Sequence, residues 1–345
     1  MNRDFASDNR SGICPEAWDA LARANAAGHT PSYGEDPWTD KARGVFREIF
    51  ETDCEVHFVF TGTAANSMAI ATLAHGHEAV ICHKTAHIET SECGAPQFYT
   101  DGVTLHTCDG ANGKLDVREV DRLARAAAHA HRPPPKVLSI TQATESGTTY
   151  SLAEVNELSG VARQYGLRVH MDGARFANAM ANLKCSPADA TWRAGVDVLS
   201  FGGTKNGMAM GEAVVFFDRA RQAGASANFP NRSTQAGQLA SKMRFIAAQW
   251  ITMLETGAWL KHATQANAMA RRLENGLRAT PGVRIMFPVE SNAVFAEISQ
   301  ERQLALRDRG WVFYTFLGET GCRLMFSRDT TEADVDALVG DVRGA

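Results

Sequence analysis

Hydrophobic positions in the first two thirds of the chain form short continuous runs, and several are followed by a segment with helical periodicity. The runs lie at residues 55–60, 78–82, 103–107, 136–141, 167–171, 196–201 and 212–217. Helical patterns lie at residues 63–74, 116–130 and 151–166. Continuous apolar strands that alternate with helices are typical of a largely parallel sheet covered on both faces. The pattern therefore predicts an α/β fold.

The pattern changes near Gln235. Long helical stretches at residues 238–255 and 259–279 precede two strand-like segments, 283–298 and 310–327, and a closing helix at 331–343. This order predicts a smaller α+β unit at the C-terminus. We therefore expect an N-terminal arm at residues 1–14 and a large domain at 15–240. A connecting helix and a small domain should occupy 241–345.

The composition argues against several classes of partner and compartment. Hydrophobic residues make up 44% of the 345 residues and charged residues 21%, as in ordinary globular proteins. The net charge of -4 argues against nucleic acid or an anionic membrane as the main partner. The seven cysteines form no CxxC pair, which favours a reduced protein without disulfides or a zinc ribbon. No apolar run approaches a membrane span, and the first residues lack a signal-peptide core, so we expect a cytoplasmic protein.

Candidate chemistry follows from the strand ends, because ligands of open parallel sheets bind beyond the carboxyl ends of the strands. Gly62 and Thr63 begin the helix after the first run. Free amides at a helix start attract phosphate, although a simple turn and cap would place the same residues there. The pair is a candidate phosphate site.

A carboxylate and a lysine follow two later runs. Asp172 ends the run at 167–171, with Arg175 three residues on, and Lys205 follows the run at 196–201. The 33 residues between Asp172 and Lys205 fit one helix and one strand, so both side chains should emerge at the same rim. In isolation, Asp172 and Arg175 would form a surface salt bridge, and Lys205 would be an exposed loop lysine.

Together these groups indicate a pyridoxal 5'-phosphate site. A lysine forms a Schiff base with the cofactor, a carboxylate keeps the pyridine nitrogen protonated, and a helix start holds the phosphate. His87, shortly after another predicted strand, could stack on the pyridine ring, although a lone histidine is more often structural. The pattern includes no metal site.

Several motifs extend this interpretation along nearly the whole chain. They are "FASDN", "YGED", "TGTAAN", "AHI...ECGAP", "SITQATE", "HMDGARFANA", "SFGGTKNG", "SKMRF" and "CRLMFS...TTEADVDAL". In them the chain resembles the fold-type I pyridoxal phosphate enzymes. It resembles most closely the low-specificity L-threonine aldolases, including their phenylserine aldolase-like branch.

The resemblance implies a role for each matching residue. Lys205 would bind the cofactor, Asp172 its ring nitrogen, and Gly62 and Thr63 its phosphate, with His87 stacked on the ring. The residues implied to hold the substrate carboxylate are Ser7, Arg175 and Arg323. Two arginines suit that task because the planar guanidinium grips a carboxylate with two bonds.

The resemblance also implies the reaction and the assembly. A β-hydroxy-α-amino acid (threonine, allo-threonine or phenylserine-type) would be cleaved through a quinonoid to glycine and an aldehyde. His87 or an ordered water would be the base, since Thr144 or Glu145 stands where many relatives have a second histidine. Arg244 matches the family arginine that would reach a neighbouring subunit's phosphate, and Lys242 is a possible substitute for the family's lysine. That contact implies a homo-oligomer with shared active sites, usually a dimer of dimers.

Two alternatives stay open at this point. A β-eliminating lyase or a transaminase could use the same fold and cofactor, since one fold supports many reactions. A non-enzymatic protein that binds pyridoxal phosphate for regulation could also carry the site. The negative net charge and the lack of a helix-turn-helix extension argue against the second alternative.

Overall fold

Two β-sheets with their flanking helices make up the protein. A computed structural model describes residues 3–125 and 131–345. Within these ranges the larger sheet has seven strands and the smaller sheet has four. Across the same ranges, no helix combines the length and the apolar character that crossing a membrane requires.

The larger sheet contains all seven strands predicted from the apolar runs, with bounds that differ by at most two residues. They are β1 (Glu55–Val59), β2 (Ala79–His83), β3 (Thr104–Cys108), β4 (Pro135–Thr141), β5 (Arg168–Gly173), β6 (Val198–Phe201) and β7 (Glu212–Phe216). Their order is β1-β7-β6-β5-β4-β2-β3. The five strands from β6 to β3 are parallel, and β7 is antiparallel to both of its neighbours. The prediction of a mostly parallel sheet is confirmed.

Twelve helices in the described residues accompany this sheet. They are α1 (Pro15–Ala26), α2 (Pro37–Phe50), α3 (Gly62–Leu73), α4 (His87–Thr90), α5 (Ala95–Tyr99), α6 (Val117–Arg125), α7 (Leu152–Gln164), α8 (Phe176–Leu183), α9 (Pro187–Ala190), α10 (Asp218–Gln222), α11 (Phe229–Gln235) and α12 (Arg244–Glu255). The helix predicted at 116–130 is present as α6, and its residues 126–130 lie outside the described residues. The helix predicted at 238–255 begins only at Arg244.

Helices cover both faces of the sheet, which explains why its strands are continuous apolar runs. Along β6, Val198 packs into the cluster formed with α3 and α11, whereas Leu199 packs into the larger cluster on the opposite face. Phe201, also in the larger cluster, meets the rings of Phe176 and Trp250. Because successive strand residues point to opposite faces, each of these positions must be apolar.

The smaller sheet is antiparallel and lies at the C-terminus, as the change of pattern near Gln235 predicted. Its strands are β8 (Arg284–Ile285), β9 (Ala293–Glu297), β10 (Tyr314–Leu317) and β11 (Gly321–Met325), in the order β10-β11-β9-β8. Its helices are α13 (Ala258–Arg278), α14 (Gln300–Asp308) and α15 (Glu332–Arg343). The α+β character of this unit is confirmed, and the exact division of the chain into domains stays a prediction.

The segment before α1 joins the two units. The amide of Phe5 donates to the carbonyl of Val312 at 2.8 Å, and the carbonyl of Phe5 accepts from the amide of Met325 at 2.8 Å. The Phe5 ring packs against Trp311 and Phe326 in the core of the smaller unit. This anchoring brings the next residues of the segment to the carboxyl ends of the large-sheet strands.

Candidate active site

A cavity of about 270 Å³ lies at the carboxyl ends of β5 and β6, and we call it the inner cavity. It is lined by five residues that the sequence singled out: Gly62, Thr63, His87, Asp172 and Lys205. They come from α3, α4, β5 and the turn after β6. Because β1 and β6 are both antiparallel to β7, they run in the same direction, and α3 therefore begins at this rim. The structure thus brings these five residues into one space, and their roles toward a cofactor stay a prediction.

The start of α3 offers backbone amides to the inner cavity. Thr61 caps the helix, because its side chain accepts a hydrogen bond from the amide of Ala64. A Cβ atom added to Gly62 would meet no atom within 4 Å, so the backbone faces open space here. A helix start with free amides and a positive dipole end suits a phosphate group.

Asp172 is a buried carboxylate, with only 3% of its surface exposed. One oxygen accepts from Nδ2 of Asn66 at 2.9 Å and the other accepts from the amide of Ala174 at 2.9 Å. The surface salt bridge with Arg175 that the sequence left open is not formed, since Arg175 pairs with Asp8 instead. Asp172 is thus held in place by neutral donors and faces the cavity.

Lys205 lies in the 3₁₀ turn Thr204–Asn206 that follows β6. Glycines around the turn allow the backbone to pack closely: a Cβ on Gly202 would lie 2.4 Å from the carbonyl oxygen of Ala174, and one on Gly203 would lie 2.5 Å from Sδ of Met208. The side chain of Lys205 lines the cavity and is partly buried. The interpretation of Lys205 as an exposed surface lysine is therefore wrong.

His87 and Asp172 are joined by a chain of hydrogen bonds that runs behind the cavity wall. Nδ1 of His87 lies 2.8 Å from Oε1 of the buried Glu92, and that oxygen also accepts from Nδ2 of Asn66 at 2.8 Å. The same Asn66 nitrogen donates to Asp172. The hydrogen bond from Glu92 raises the pKa of His87, and burial raises the pKa of Glu92. The chain orients the imidazole and favours its protonated form.

A second cavity of about 440 Å³ adjoins the first, and we call it the outer cavity. His87 and Lys205 line both cavities, so the two spaces meet at these side chains. The three residues that the sequence assigned to a substrate carboxylate, Ser7, Arg175 and Arg323, also line the outer cavity. The structure thus brings them within one space beside the lysine.

The two arginines of the outer cavity differ in their partners. Arg175 donates from Nε and Nη2 to the carboxylate of Asp8 at 2.7 and 3.0 Å. Nε of Arg323 is buried and has no hydrogen-bond partner among the described residues. Its guanidinium lies 4.7 Å from the ring centre of Phe316 and 5.5 Å from that of Tyr314. Arg323 therefore keeps a buried donor that no described residue accepts from, whereas two nitrogens of Arg175 are already paired.

Arg244 lines neither cavity. Its Nη1 donates to Oγ1 of Thr30 at 2.6 Å, and its buried Nε has no partner within the part of the chain that the structure describes. It lies beside a groove of about 730 Å³ that we call the α1 groove, lined by Trp18, Phe60 and Lys242 among others. The role predicted for Arg244 in a neighbouring subunit stays a prediction.

Sequence reasoning missed the residues that support the predicted ones. Glu92, Asn66 and Asp8 stand inside the motifs "ECGAP", "TGTAAN" and "FASDN", but nothing in the sequence shows their partners. Glu212 at the start of β7 was also missed; it lines the inner cavity and accepts from the amide of Gly203 at 2.5 Å. The sequence offered one signal for Glu212, since it is a carboxylate at the edge of an apolar run.

Comparison with known proteins gives a consistent result. The family model described as Beta-eliminating lyase matches residues 4–301. The low specificity L-threonine aldolase of Pseudomonas sp. (strain NCIMB 10558) is 52% identical over 343 residues, 99% of this chain and 98% of the relative. The low specificity L-threonine aldolase of Pseudomonas aeruginosa is also 52% identical, over 99% of this chain and 97% of the relative. The structure of Leishmania major threonine aldolase superposes with a TM-score of 0.92 at 27% identity, with 99% of each chain covered.

The fold and the two joined cavities define an enzyme of the fold-type I class that depends on pyridoxal phosphate. Within that class, the extent of the match to the Pseudomonas proteins decides the family. The chain belongs to the low-specificity L-threonine aldolases of the beta-eliminating lyase family. The resemblance seen in the sequence motifs is confirmed.

Proposed function

We propose that this protein cleaves L-β-hydroxy-α-amino acids, such as threonine, to glycine and an aldehyde, with pyridoxal phosphate as cofactor. The observation that carries the proposal is the junction of the two cavities at Lys205. A lysine, a buried carboxylate and a helix start face the inner cavity, and an arginine with an unpaired donor faces the outer one. One side of Lys205 thus suits the cofactor and the other an amino acid.

The residues of the inner cavity fit the cofactor. Lys205 would bind its aldehyde carbon, Asp172 its ring nitrogen, and the amides at Gly62 and Thr63 its phosphate, while His87 would lie against the ring. When bound, pyridoxal phosphate supplies an electron sink for the electrons released at the substrate Cα. Asp172 supports that function because a buried carboxylate with neutral donors favours a protonated ring nitrogen.

The residues of the outer cavity would orient the substrate. The guanidinium of Arg323 would donate to the substrate carboxylate, and Ser7 and Arg175 lie in the same space. Because Asp8 already holds two nitrogens of Arg175, that guanidinium has a fixed position before substrate arrives. A carboxylate held from a fixed direction would fix the orientation of the Cα–Cβ bond relative to the cofactor, and cleavage depends on that orientation.

The proton of the substrate hydroxyl needs an acceptor, and His87 or a water beside it is our candidate. The hydrogen bond between Nδ1 and Glu92 stabilises the imidazolium that forms when the ring takes up a proton. Such a pairing makes a histidine a stronger base and fixes its orientation. Glu145 also lines the outer cavity, in the region where many relatives have a second histidine.

The outer cavity also suits a β-aryl substituent. Three aromatic residues line it: Phe287, Phe295 and Phe316. Their rings lie in edge contact, at 5.4 Å for Phe287 with Phe295 and 5.9 Å for Phe295 with Phe316. Aromatic pairs contribute about 0.5–1.5 kcal/mol beyond the area they bury, so we expect phenylserine to be a substrate.

The direct test measures aldehyde and glycine from L-threonine, L-allo-threonine and L-phenylserine. We expect both products from each substrate; absence of aldehyde from all three would refute the proposal. The Phe316→Ala variant should lower kcat/KM for phenylserine about tenfold relative to threonine, which corresponds to about 1.4 kcal/mol. Phe98→Ala, at an exposed ring outside both cavities, is the matched control and should leave the ratio unchanged.

A β-eliminating lyase is the second candidate, favoured by the description of the matching family model. Elimination would produce ammonia and a keto acid from serine or tyrosine, without glycine. The same incubations separate the two reactions, because only aldol cleavage breaks the Cα–Cβ bond. Keto acid without any glycine would replace our proposal with this one.

The α1 groove supports a homo-oligomer with shared sites, a dimer of dimers in our proposal. Its lining includes the 62% exposed Trp18 and the 40% exposed Met210, and Phe60 lines both the groove and the inner cavity. Arg244 would act across this surface on a neighbour's phosphate. Mixing and reassembling Lys205→Ala and Arg244→Ala subunits should restore about a quarter of the sites if sites are shared, and none if each subunit is self-sufficient.

We place the protein in the cytoplasm. All seven cysteines lie in the described residues and are free, and five of them are buried. Free thiols in this number suit a reducing compartment. Fractionation of the producing cells with an antibody against the protein tests this placement, and recovery from the periplasm would contradict it.

A further inference from the structure

A cluster of potential metal ligands lies between the start of α1 and α13, separate from both cavities. Its members are Cys14, Glu16 and His262, and one ligand atom from each lies within 4.8 Å of the other two. Cys14 and His262 are buried, while Glu16 is partly exposed. We call these three residues the Cys14 cluster. It plays no part in the mechanism described above.

Local structure explains how the cluster forms. Cys14 caps α1, because its Sγ accepts from the amide of Ala17 at 3.4 Å. Glu16 follows in the first turn of that helix, and its Oε2 lies 3.0 Å from Nε2 of His262 on α13. On the other side of Cys14, Sδ of Met253 lies 3.5 Å from Sγ. A thiol, an imidazole and a carboxylate therefore lie near one point, and a thioether lies beside the thiol.

We propose that the Cys14 cluster binds a thiophilic divalent cation, with Zn²⁺ as the best match. Thiolate, imidazole and carboxylate are the ligands that zinc takes in proteins, at about 2.0–2.3 Å. Ligand atoms on such a tetrahedral ion lie about 3.3–3.8 Å apart, so side-chain movements of about 1 Å convert the present arrangement into a coordinating one. A water would supply the fourth ligand.

The surrounding charges permit this occupant. The deprotonated thiol and the carboxylate bring two negative charges, which balance a divalent ion. Nζ of Lys261 lies 3.5 Å from Oε1 of Glu16, but its side chain is 74% exposed and can turn to solvent. The guanidinium of Arg328 is already bound to the carbonyls of Gly12 and Ile13.

Binding would release one proton, since the thiol of Cys14 must lose its hydrogen to coordinate. Protons therefore compete with the metal, and the affinity should rise as the pH rises. In the metal-bound protein, Nε2 of His262 would coordinate the metal and would no longer pair directly with Glu16.

The position of the cluster links it to the turn that holds Lys205. The amide of Cys14 donates to the carbonyl of Gly207 at 2.8 Å, and Nδ2 of Asn206 donates to the carbonyl of Trp259 on α13 at 2.9 Å. A metal that joins α1 to α13 would therefore brace the two elements on which this turn rests. We expect bound Zn²⁺ to raise the midpoint of thermal unfolding, because the unfolded chain lacks the site.

The test uses the cofactor-loaded enzyme, stripped of metal and titrated with Zn²⁺ against a chromophoric zinc indicator. We expect one Zn²⁺ per chain in the wild type and an affinity at least about tenfold weaker in both Cys14→Ser and His262→Gln. Serine is itself a favourable helix cap, so Cys14→Ser should fold normally. The exposed Cys93 provides the matched control, since Cys93→Ser should bind zinc like the wild type.

Substitution with ¹¹³Cd²⁺ adds a structural readout, because the cadmium chemical shift reports whether sulfur is coordinated. We expect a thiolate-type resonance in the wild type that is lost in Cys14→Ser. Wild-type protein that fails to bind zinc at micromolar concentration would overturn the proposal. So would binding that persists unchanged in both cluster variants, since the metal would then lie elsewhere. Neither outcome bears on the proposed aldol cleavage.

Discussion

The replacement of Arg323 by methionine tests the proposed substrate site most directly. Methionine keeps an unbranched apolar stem beside Phe316 and Tyr314 but removes the guanidinium that lies over their rings, and with it the charge. The wild-type Nε has no partner in the described residues, and Nη2 makes only a 3.4 Å contact with the carbonyl of Ala6. Burial removes much of the water around the guanidinium and thereby lowers its pKa. Most of its hydrogen-bonding capacity is therefore available to a substrate carboxylate.

The size of the effect follows from these contacts. Hydrogen bonds to a charged group contribute about 1.5–3 kcal/mol each. Arg175 and Ser7 remain in the variant, so we take the loss as about 3 kcal/mol rather than the full value of two bonds. At 1.4 kcal/mol per factor of ten, kcat/KM for L-threonine should fall about 100-fold.

The assay is steady-state aldehyde formation from L-threonine, with cofactor absorbance recorded to show that the inner cavity is intact. Arg284→Met serves as the matched control, because Arg284 forms an exposed ion pair with Glu297 in the same small sheet. Such surface pairs contribute little, and we expect activity within about twofold of wild type. A kcat/KM for Arg323→Met within threefold of wild type would refute the assignment of Arg323 to the carboxylate.

Three further substitutions test the inner cavity. Asp172→Asn should reduce kcat by about 100-fold or more at normal cofactor content, because a neutral pyridine ring withdraws electrons poorly. Steady-state rates near wild type would contradict the pairing of Asp172 with the ring nitrogen. Glu92→Gln removes the hydrogen bond that raises the pKa of His87, so the limb of the kcat/KM–pH profile that reports the imidazole should move to lower pH. An unchanged profile would show that the protonation of His87 does not control kcat/KM. Lys205→Ala should lose both turnover and the cofactor's absorption band near the visible. A cofactor-loaded wild type without that band would contradict the role of Lys205.

Much of the fold could be predicted because the larger sheet is covered on both faces. The strands of such a sheet are apolar at most positions, and their shortness and β-branched composition distinguish these runs from the longer helical segments. The reversed direction of β7 could not be predicted, because an antiparallel buried strand has the same composition as a parallel one. The late start of α12 at Arg244 was also missed, since residues 238–243 carry helix-compatible side chains.

The candidate site was predicted only as far as strand ends identify it. Asp172 and Lys205 follow predicted strands directly, and their neighbouring positions come from the parallel pairing of β5 with β6. Asp8 acts through a contact with a residue 167 positions away, and Glu92 joins His87 to Asn66, which lies 26 positions from Glu92. No local pattern reports such distant pairings, so the orientation of His87 and the engagement of Arg175 required the folded chain.

The sequence by itself determined the α/β architecture, the residues at the strand ends and the family, because these depend on periodicity and on motifs within short segments. Only the tertiary structure decided which arginine keeps a free donor, which carboxylate orients His87, and that Cys14 meets His262. Those properties depend on side chains that only the folded chain brings together. In a buried site, each hydrogen bond that is made or left unmade changes the free energy of the folded state.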